Sequence, residues 1–461
     1  MYKRNKAPVE TNDIIELHVQ TLNHVGEGVG RLEGFAVFVP GALPGELVRA
    51  KVVRSHKNFA RALPESIIEV SPHRIKPLCE QSGICGGCQL QHLAYSEQLR
   101  FKQKAVEDAL LRLGGLADAP LRPIIGMDEP WRYRNKALVP LGVVGNEITA
   151  GFYERSSHSI VALESCYLQH TANEQVIRAI SRILGELNIS VYDKERGEGL
   201  VRYVSTRVSF SSGDLVVVLG TGSGSFPRKD EFVTALRQAV PGVRGILQRI
   251  DVRGDNAKNW TEPEELVLWG ESRLRESLGG LRFDMSPRSF FQVNPSQTEI
   301  LYDTALEYAG LTGDETVFDL YCGIGTISLY LARRSGRVVG VETEAASVRD
   351  AKENAELNGI NNADFYEGSA EKIVPNLYKY GTKADIVVVD PPRKGCDYTL
   401  LGVIAAMKPK KIVYISCNPA TLARDLKVLR QKGYDIREIQ PVDMFPQTAH
   451  IECVCLLTPL A

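Results

Sequence analysis

Apolar and polar residues alternate with a period of two through the first seventy positions. The runs "IIELHVQTL" (14–22), "FAVFVPGALPGE" (35–46), "LVRAKVVRS" (47–55) and "RALPESIIEV" (61–70) show it, broken by Gly and Pro turns. Short half-buried strands of this kind predict a small antiparallel, OB-like barrel. Over 96–115 the period lengthens, and Leu99, Val106, Leu110 and Leu113 fall on one helical stripe. Residues 127–275 mix strand-like runs ("NKALVPLGVV", "LVVVLG") with one amphipathic helix near 171–187, which predicts a mixed α/β middle domain. From 316 onward strand, turn and helix repeat: "TVFDLYCGIG" then "TISLYLARR", "RVVGVE" then "AASVRDAKENAELNG", "ADIVVVDPPR" then "TLLGVIAAM", "KIVYISCNP" then "ATLARDLKVLRQKG". That alternation predicts a doubly wound parallel sheet of Rossmann-like α/β type.

The length of 461 residues suits about three domains of ~150 residues. Charge is balanced overall, 55 basic against 56 acidic residues, which excludes a globally basic nucleic-acid binder. Its distribution is uneven. Between Arg49 and Lys76 stand seven basic and two acidic residues, a local patch suited to an anionic partner or simply a solvated barrel face. No apolar run approaches the ~20 residues of a membrane helix. Residues 1–6 are basic but no hydrophobic stretch follows them, so no secretory signal is expected and the chain reads as cytoplasmic. Nine cysteines in such a chain suggest thiols, metal ligands or catalysis before disulfides.

The chemistry-bearing motifs fall at strand ends. "DLYCGIG" (319–325) closes the first strand of the C-terminal region and opens a helix, where glycines let backbone approach a ligand. Alone this is weak. Glu342 lies 23 residues past Asp319, at the end of the next strand, where an acid binds ribose hydroxyls. Ser328 replaces the third glycine of a dinucleotide fingerprint and no phosphate loop is present, so S-adenosylmethionine fits better than NAD or ATP. "VVVDPPRKG" points Asp390 over the same crevice. One strand further, Cys417 in "VYISCNPATLARD" sits past the apolar run rather than inside it. A helix N-terminus there would favour its thiolate. Cys79, Cys85 and Cys88 in the Gly-rich loop "CEQSGICGGC", with Cys166 as a fourth ligand, suit zinc or an iron–sulfur cluster, with a lean to iron–sulfur because a second C-x-x-C pair is missing. The run 131–140, "WRYRNKALVP", interleaves stacking and phosphate-binding side chains, as a single-stranded nucleic acid requires, or as a basic loop with packed aromatics would show.

Together, "FFQVNP", "DLYCGIGTISL", "DPPRKG", "SCNPATLARD", "HIE" and the cysteine cluster resemble the bacterial S-adenosylmethionine-dependent RNA uracil-5-methyltransferases, particularly the large-subunit (23S) ribosomal RNA branch, over nearly the whole chain. The resemblance implies a TRAM-like RNA-binding barrel (1–70), a central iron–sulfur and RNA-binding domain (71–95 and 126–285) and a methyltransferase domain (96–125 and 286–461). It implies Cys417 as nucleophile, Glu452 as base, and Gln292, Tyr321, Glu342 and Asp390 lining the cofactor pocket and the reacting base. It implies a [4Fe–4S] cluster on Cys79, Cys85, Cys88 and Cys166, and a monomer acting on a flipped-out uridine in an RNA loop. Without it, Gln292 and Glu452 would read as surface residues. A transfer-RNA uridine enzyme and an RNA cytosine-5 enzyme are the alternatives; the latter usually has a cysteine where Arg393 stands. An amino-group methyltransferase would need no nucleophilic cysteine. An iron–sulfur scaffold without activity would lack Cys417 or Glu342.

Overall fold

The computed structural model describes residues 7–145, 147–155, 157–193, 196–251 and 264–460. The basic segment 1–6 and a stretch of the middle region, 252–263, lie outside the described residues. The chain forms two compact units, one of residues 1–105 with 445–450, the other of residues 106–444 with 451–461.

In the first unit β1 (Ile14–Leu22), β2 (Gly28–Leu32), β3 (Phe35–Val39), β4 (Leu47–Ser55) and β5 (Phe59–Glu69) close a barrel in the order β1-β2-β3-β5-β4. Alternate residues such as Leu17, Val19, Val37, Val48 and Ala60 fill it. The strand that the apolar pattern did not announce is β2, "GVGRL". Its glycines are set by close approach: a Cβ on Gly28 would lie 2.7 Å from the Ala42 carbonyl oxygen, and one on Gly30 2.5 Å from that of His18.

Helix α1 (Tyr95–Ala109) follows. Its first inward positions are polar. Gln98 donates to Gln447 Oε1 at 2.9 Å and accepts from the Gln447 N–H at 3.0 Å, and Lys102 donates to the Phe445 carbonyl at 3.0 Å, so α1 holds the segment 445–450. A π-helical turn, Leu110–Gly114, ends it. The wider turn shifts the register by about one residue. Leu113 is therefore exposed, contrary to the predicted stripe, while Gly114 takes the buried position.

The second unit holds two seven-stranded sheets. The central one comprises β6 (Lys136–Val144), β7 (Glu147–Tyr153), β8 (Ile160–Ala162), β9 (Val201–Val208), β10 (Leu215–Thr221), β11 (Val243–Ile250) and β12 (Glu264–Gly270), ordered β12-β11-β10-β9-β6-β7-β8. Only β10–β11 of its pairs is parallel. One face packs on α2 (Thr171–Glu186) and on α3 (Lys229–Ala239), a helix the apolar pattern did not predict. A hairpin, β13 (Leu274–Leu278) and β14 (Leu281–Met285), leads to α4 (Pro295–Ala309), which Asn294 caps through the Gln297 N–H with Pro295 in the first turn.

The C-terminal sheet is built from β15 (Thr316–Leu320), α5 (Thr326–Ala332), β16 (Arg337–Glu342), α6 (Ala345–Leu357), β17 (Ala363–Glu367), α7 (Ala370–Lys379), β18 (Ile386–Val389), α8 (Tyr398–Met407), β19 (Lys411–Ser416), α9 (Pro419–Gln431), β20 (Tyr434–Val442) and β21 (Glu452–Pro459). Its order is β17-β16-β15-β18-β19-β21-β20, parallel up to β19 and antiparallel in the last two strands. Strand order reverses between β15 and β18. A crevice opens at such a point, outside the strands' carboxyl ends. Val106, Ala109, Leu110 and Leu116 pack into this sheet's core although they precede the central sheet in the chain. Among the described residues no helix is long and apolar enough to cross a membrane.

Candidate active site

Four parallel strands deliver one residue each to that crevice: Tyr321 follows β15, Glu342 ends β16, Asp390 follows β18 and Cys417 follows β19. Glu452 arrives by the opposite route. Because β21 runs antiparallel to β19 with Cys453 facing Ser416, its first residue, Glu452, falls at the same edge as Cys417. Gln292 is buried before α4. Its carbonyl accepts from Asn135 Nδ2 at 3.0 Å, and the next carbonyl, of Val293, accepts from the Asn135 N–H at 2.9 Å.

The turn after β15 is strained. Tyr321 has φ 68°, a left-handed conformation that a bulky side chain rarely adopts. Gly323 and Gly325 follow at 55° and 80°. This conformation turns backbone N–H groups toward the crevice, and Gly323 N donates to Glu342 Oε2 at 3.1 Å. The other oxygen, Oε1, accepts from the N–H groups of Thr343 at 2.7 Å and Glu344 at 3.0 Å. Thr343 Oγ1 donates to Oε1 as well, at 2.9 Å, so four donors fix Glu342 in orientation. The Tyr321 hydroxyl points elsewhere, donating to Glu371 at 2.9 Å.

Cys417 and Asp390 are held by their neighbours. Asn418 caps α9 through the Ala420 N–H at 3.0 Å, and its Nδ2 donates to the Arg393 carbonyl at 3.0 Å. Thr421 Oγ1 reaches the same carbonyl at 3.2 Å. The "DPPR" and "SCNP" loops are therefore clamped together. Asp425, buried on α9, accepts from the Tyr414 hydroxyl at 2.6 Å and the Cys396 N–H at 2.9 Å.

Electrostatics at the crevice run against the expectation of a thiolate. Cys417 is half-buried, and desolvation, then Glu452 and Asp390, push its thiol up to about 11; Arg393 opposes them. The helix N-terminus is outweighed by the loss of water and two carboxyls. Burial likewise raises Asp390 to about 6. Glu452, buried and beside Asp390, lies well above the usual carboxylate range, with Arg393 again the opposing charge. Its Oε2 has no hydrogen-bond partner among the described residues. Asp319 is fully buried, bonded by Ser328 Oγ, and raised to about 7, chiefly by desolvation. Among the described residues the crevice gathers three buried acids, Asp319, Asp390 and Glu452, and Arg393 is the cation that opposes the rise at Cys417 and Glu452. A site of this kind is built for a positively charged ligand.

Motif reading did not assign Asp319, Arg393, Asn418, Asp425 or Asn135. Asn418 carried a readable signal, an Asn-Pro helix start. The others act through contacts distant in sequence.

The cysteines of the N-terminal loop have donors aimed at sulfur. Gly87 N–H lies 3.4 Å from Cys85 Sγ, and Gln91 Nε2 3.1 Å from Cys88 Sγ. Burial raises the Cys85 thiol, and Cys79 adds to the effect. Cys166 belongs to the other unit, where its N–H donates to Glu174 Oε1 at 2.5 Å. Among the described residues no group of three or more His, Cys, Asp or Glu side chains is arranged to hold a metal ion.

The sheet order and the glycine turn after β15 are those of a methyltransferase fold, with Glu342 at the end of the neighbouring strand. Residues 278–459 match the family model of tRNA (uracil-5-)-methyltransferases, and residues 8–63 that of the TRAM domain. An uncharacterized RNA methyltransferase from Halalkalibacterium halodurans is 48% identical over 98% of this chain and 99% of its own. One from Caldanaerobacter subterraneus is 44% identical over 97% and 99%. Among solved structures, Pyrococcus abyssi tRNA (uracil-54, C5)-methyltransferase in complex with S-adenosyl-L-homocysteine is similar, with a TM-score of 0.77 and 28% identity over 96% of this chain and all of that one. The chain belongs to the S-adenosylmethionine-dependent RNA uracil-5-methyltransferase family.

Proposed function

We propose that the chain methylates carbon 5 of a uridine in 23S ribosomal RNA through a covalent bond between Cys417 and carbon 6 of the base. The observation that carries this reading is the convergence of Cys417, Asp390 and Glu452 at one crevice with Arg393 as counter-charge. Carbon 5 of uracil is a poor nucleophile. Addition of the Cys417 sulfur to carbon 6, with loss of the thiol proton to the medium, moves the ring's electrons onto oxygen 4 as an enolate. Gln292 and Asp390 stand for the hydrogen bonds to the uracil edge: the Gln292 amide donates to oxygen 4, where the charge develops, and ionised Asp390 accepts from the N3–H and orients the ring. Carbon 5 then attacks the sulfonium methyl, and S-adenosylhomocysteine leaves. Glu452 takes the carbon 5 proton, the double bond reforms, and Cys417 is expelled. Glu452 must be ionised for that step. Burial first, and then Asp390, favours the protonated form of Glu452 in the free protein; a cationic co-substrate held by Tyr321 and Glu342 before methyl transfer favours release of that proton.

The barrel (1–70) and the central region (71–95 and 126–285) are read as RNA-binding domains, with 96–125 and 286–461 as the catalytic domain of a cytoplasmic monomer. Cys79, Cys85, Cys88 and Cys166 are assigned to a [4Fe–4S] cluster. Donors toward Cys85 and Cys88 sulfur suit thiolate ligands, and methyl transfer requires no electron from such a cluster. Anaerobically purified protein should contain iron and show broad visible absorbance, lost in Cys85→Ser; stoichiometric zinc without iron would overturn the assignment.

A second reading, a transfer-RNA substrate, is favoured by the similar Pyrococcus abyssi protein, a tRNA (uracil-54, C5)-methyltransferase. Nucleoside mass spectrometry of RNA from a deletion strain separates the two. Loss of 5-methyluridine from 23S ribosomal RNA supports the first, and loss from transfer RNA the second. Unchanged 5-methyluridine in both would sink both.

A further inference from the structure

The central sheet has two unlike faces. Ala137, Val139, Val204, Val217 and Leu219 point into the core against α2 and α3. The alternate positions form an open cleft of about 290 Å³, surface solvent included, lined by Lys136, Ser205, Arg207, Val216, Val218 and part of the segment 272–287. In the β6–β9 register Lys136 stands directly opposite Arg207, so the two cations share this face as nearest cross-strand neighbours. Like charges so placed repel. Arg249 follows on the same face: Gly220 pairs with it in β11, two and four positions past Val218 and Val216 in β10.

The surroundings neutralise this charge only in part. Glu265 faces Arg249 at 3.8 Å and Arg288 at 3.3 Å, and is already shared between them. Asp350 is the acid acting on Arg207, whose guanidinium is buried and held down at about 10. Desolvation, Arg207 and Arg249 hold Lys136 down at about 8. No carboxylate lies within ion-pair distance of Lys136 among the described residues. The buried Ser286 Oγ, from a residue lining the cleft, also has no hydrogen-bond partner among them. Lys136, buried at such a cost with no carboxylate beside it, points to an anion supplied from outside.

The cleft also adjoins the Gln292 loop. Arg207 Nη2 donates to the Ser289 carbonyl at 3.0 Å, and Asn135, next to Lys136, donates to that of Gln292. We infer that the Lys136–Arg207 cleft binds a phosphodiester group of the RNA strand next to the target base. The inference rests on the reading of RNA as substrate.

The test uses the full chain and a labelled 23S ribosomal RNA transcript. Binding is measured against salt without turnover, and steady-state methylation is measured separately. Lys136→Met should lower the slope of log affinity against log salt by about 0.9 and weaken binding roughly five- to tenfold at 0.15 M salt. It should raise KM for RNA with kcat unchanged, and Lys136→Arg should restore both. Lys352→Met, an exposed lysine on α6, is the charge control and should change neither. Removing the repulsion with Arg207 should leave Lys136→Met at least as thermally stable as the parent, whereas a packing role would destabilise it. Equal slopes and affinities for parent and Lys136→Met, or failure of Lys136→Arg to rescue, overturns the inference. If the parent binds but methylates neither ribosomal nor transfer RNA, the functional reading fails while the binding comparison still decides the cleft.

Discussion

Cys417 sits where a helix N-terminus ought to lower its pKa, yet its thiol is raised, because two carboxyls and the loss of water act more strongly than one helix end. At pH 8 a thiol at about 11 is ionised to only about one part in a thousand. In the proposed mechanism this keeps Cys417 unreactive until substrates enter. Burial raises the Glu452 carboxyl well above the usual range, which favours its protonated form, and its Oε2 has no hydrogen-bond partner among the described residues. If Glu452 removes the carbon 5 proton, Glu452→Gln keeps the shape but accepts no proton, while the earlier steps still run. Enzyme and RNA should accumulate as a covalent, already methylated adduct that survives a denaturing gel. The adduct should vanish in the Cys417→Ala, Glu452→Gln double variant. Release of methylated RNA by Glu452→Gln at the parent rate, with no adduct, assigns the base to another group.

At the scale of elements, legibility followed how local the determinants are. The strand–turn–helix repeats of the C-terminal region were readable because each closes within a few dozen residues, and with them the placement of Tyr321, Glu342, Asp390 and Cys417 at strand ends. Glu452 was legible only by resemblance. Its position depends on the pairing of β21 with β19, and the intervening β20 breaks its own alternation at an irregularity between Ile436 and Glu438. The inward side of α1 misled for another reason: Gln98 and Lys102 are buried to bind 445–450, and a π-helical turn then displaces Leu113. The start of α9 tests the value of one local device. Asn418 both caps the helix and ties the Cys417 loop to the Arg393 carbonyl. Asn418→Ala should cost about 1 kcal/mol of stability in chemical denaturation. It should also lower kcat about tenfold through the misplaced loops, with KM for S-adenosylmethionine little changed because Glu342 ends β16, three strands away from β19. A stability loss with kcat intact would confine Asn418 to capping.

The molecule as a whole carries a buried acid cluster whose repulsion the fold must absorb. Asp319, Asp390 and Glu452 all have carboxyls raised above their unfolded values, Asp390 to about 6 and Asp319 to about 7. The folded state therefore binds more protons than the unfolded state above pH ~4, and stability falls as pH rises. The stabilisation tied to the Asp390 and Asp319 protons is complete below the unfolded carboxylate range and is lost on passing through pH 6 to 7, and Glu452 adds a loss in the same direction. The ligand-free protein should melt at a lower temperature at pH 8 than at pH 5. Asp319→Asn, which keeps an acceptor for Ser328, should flatten that dependence and recover up to about 4 kcal/mol at pH 8. A bound cation acts in the opposite sense, since it favours the ionised acids. S-adenosylmethionine at a fixed multiple of its Kd at pH 5 should raise the melting temperature more at pH 8 than at pH 5. S-adenosylhomocysteine, which lacks the sulfonium charge, should show a smaller increment between the two. Equal pH increments for the two ligands would mean that the acids do not respond to the sulfonium, and would remove the electrostatic account of how Glu452 becomes a base.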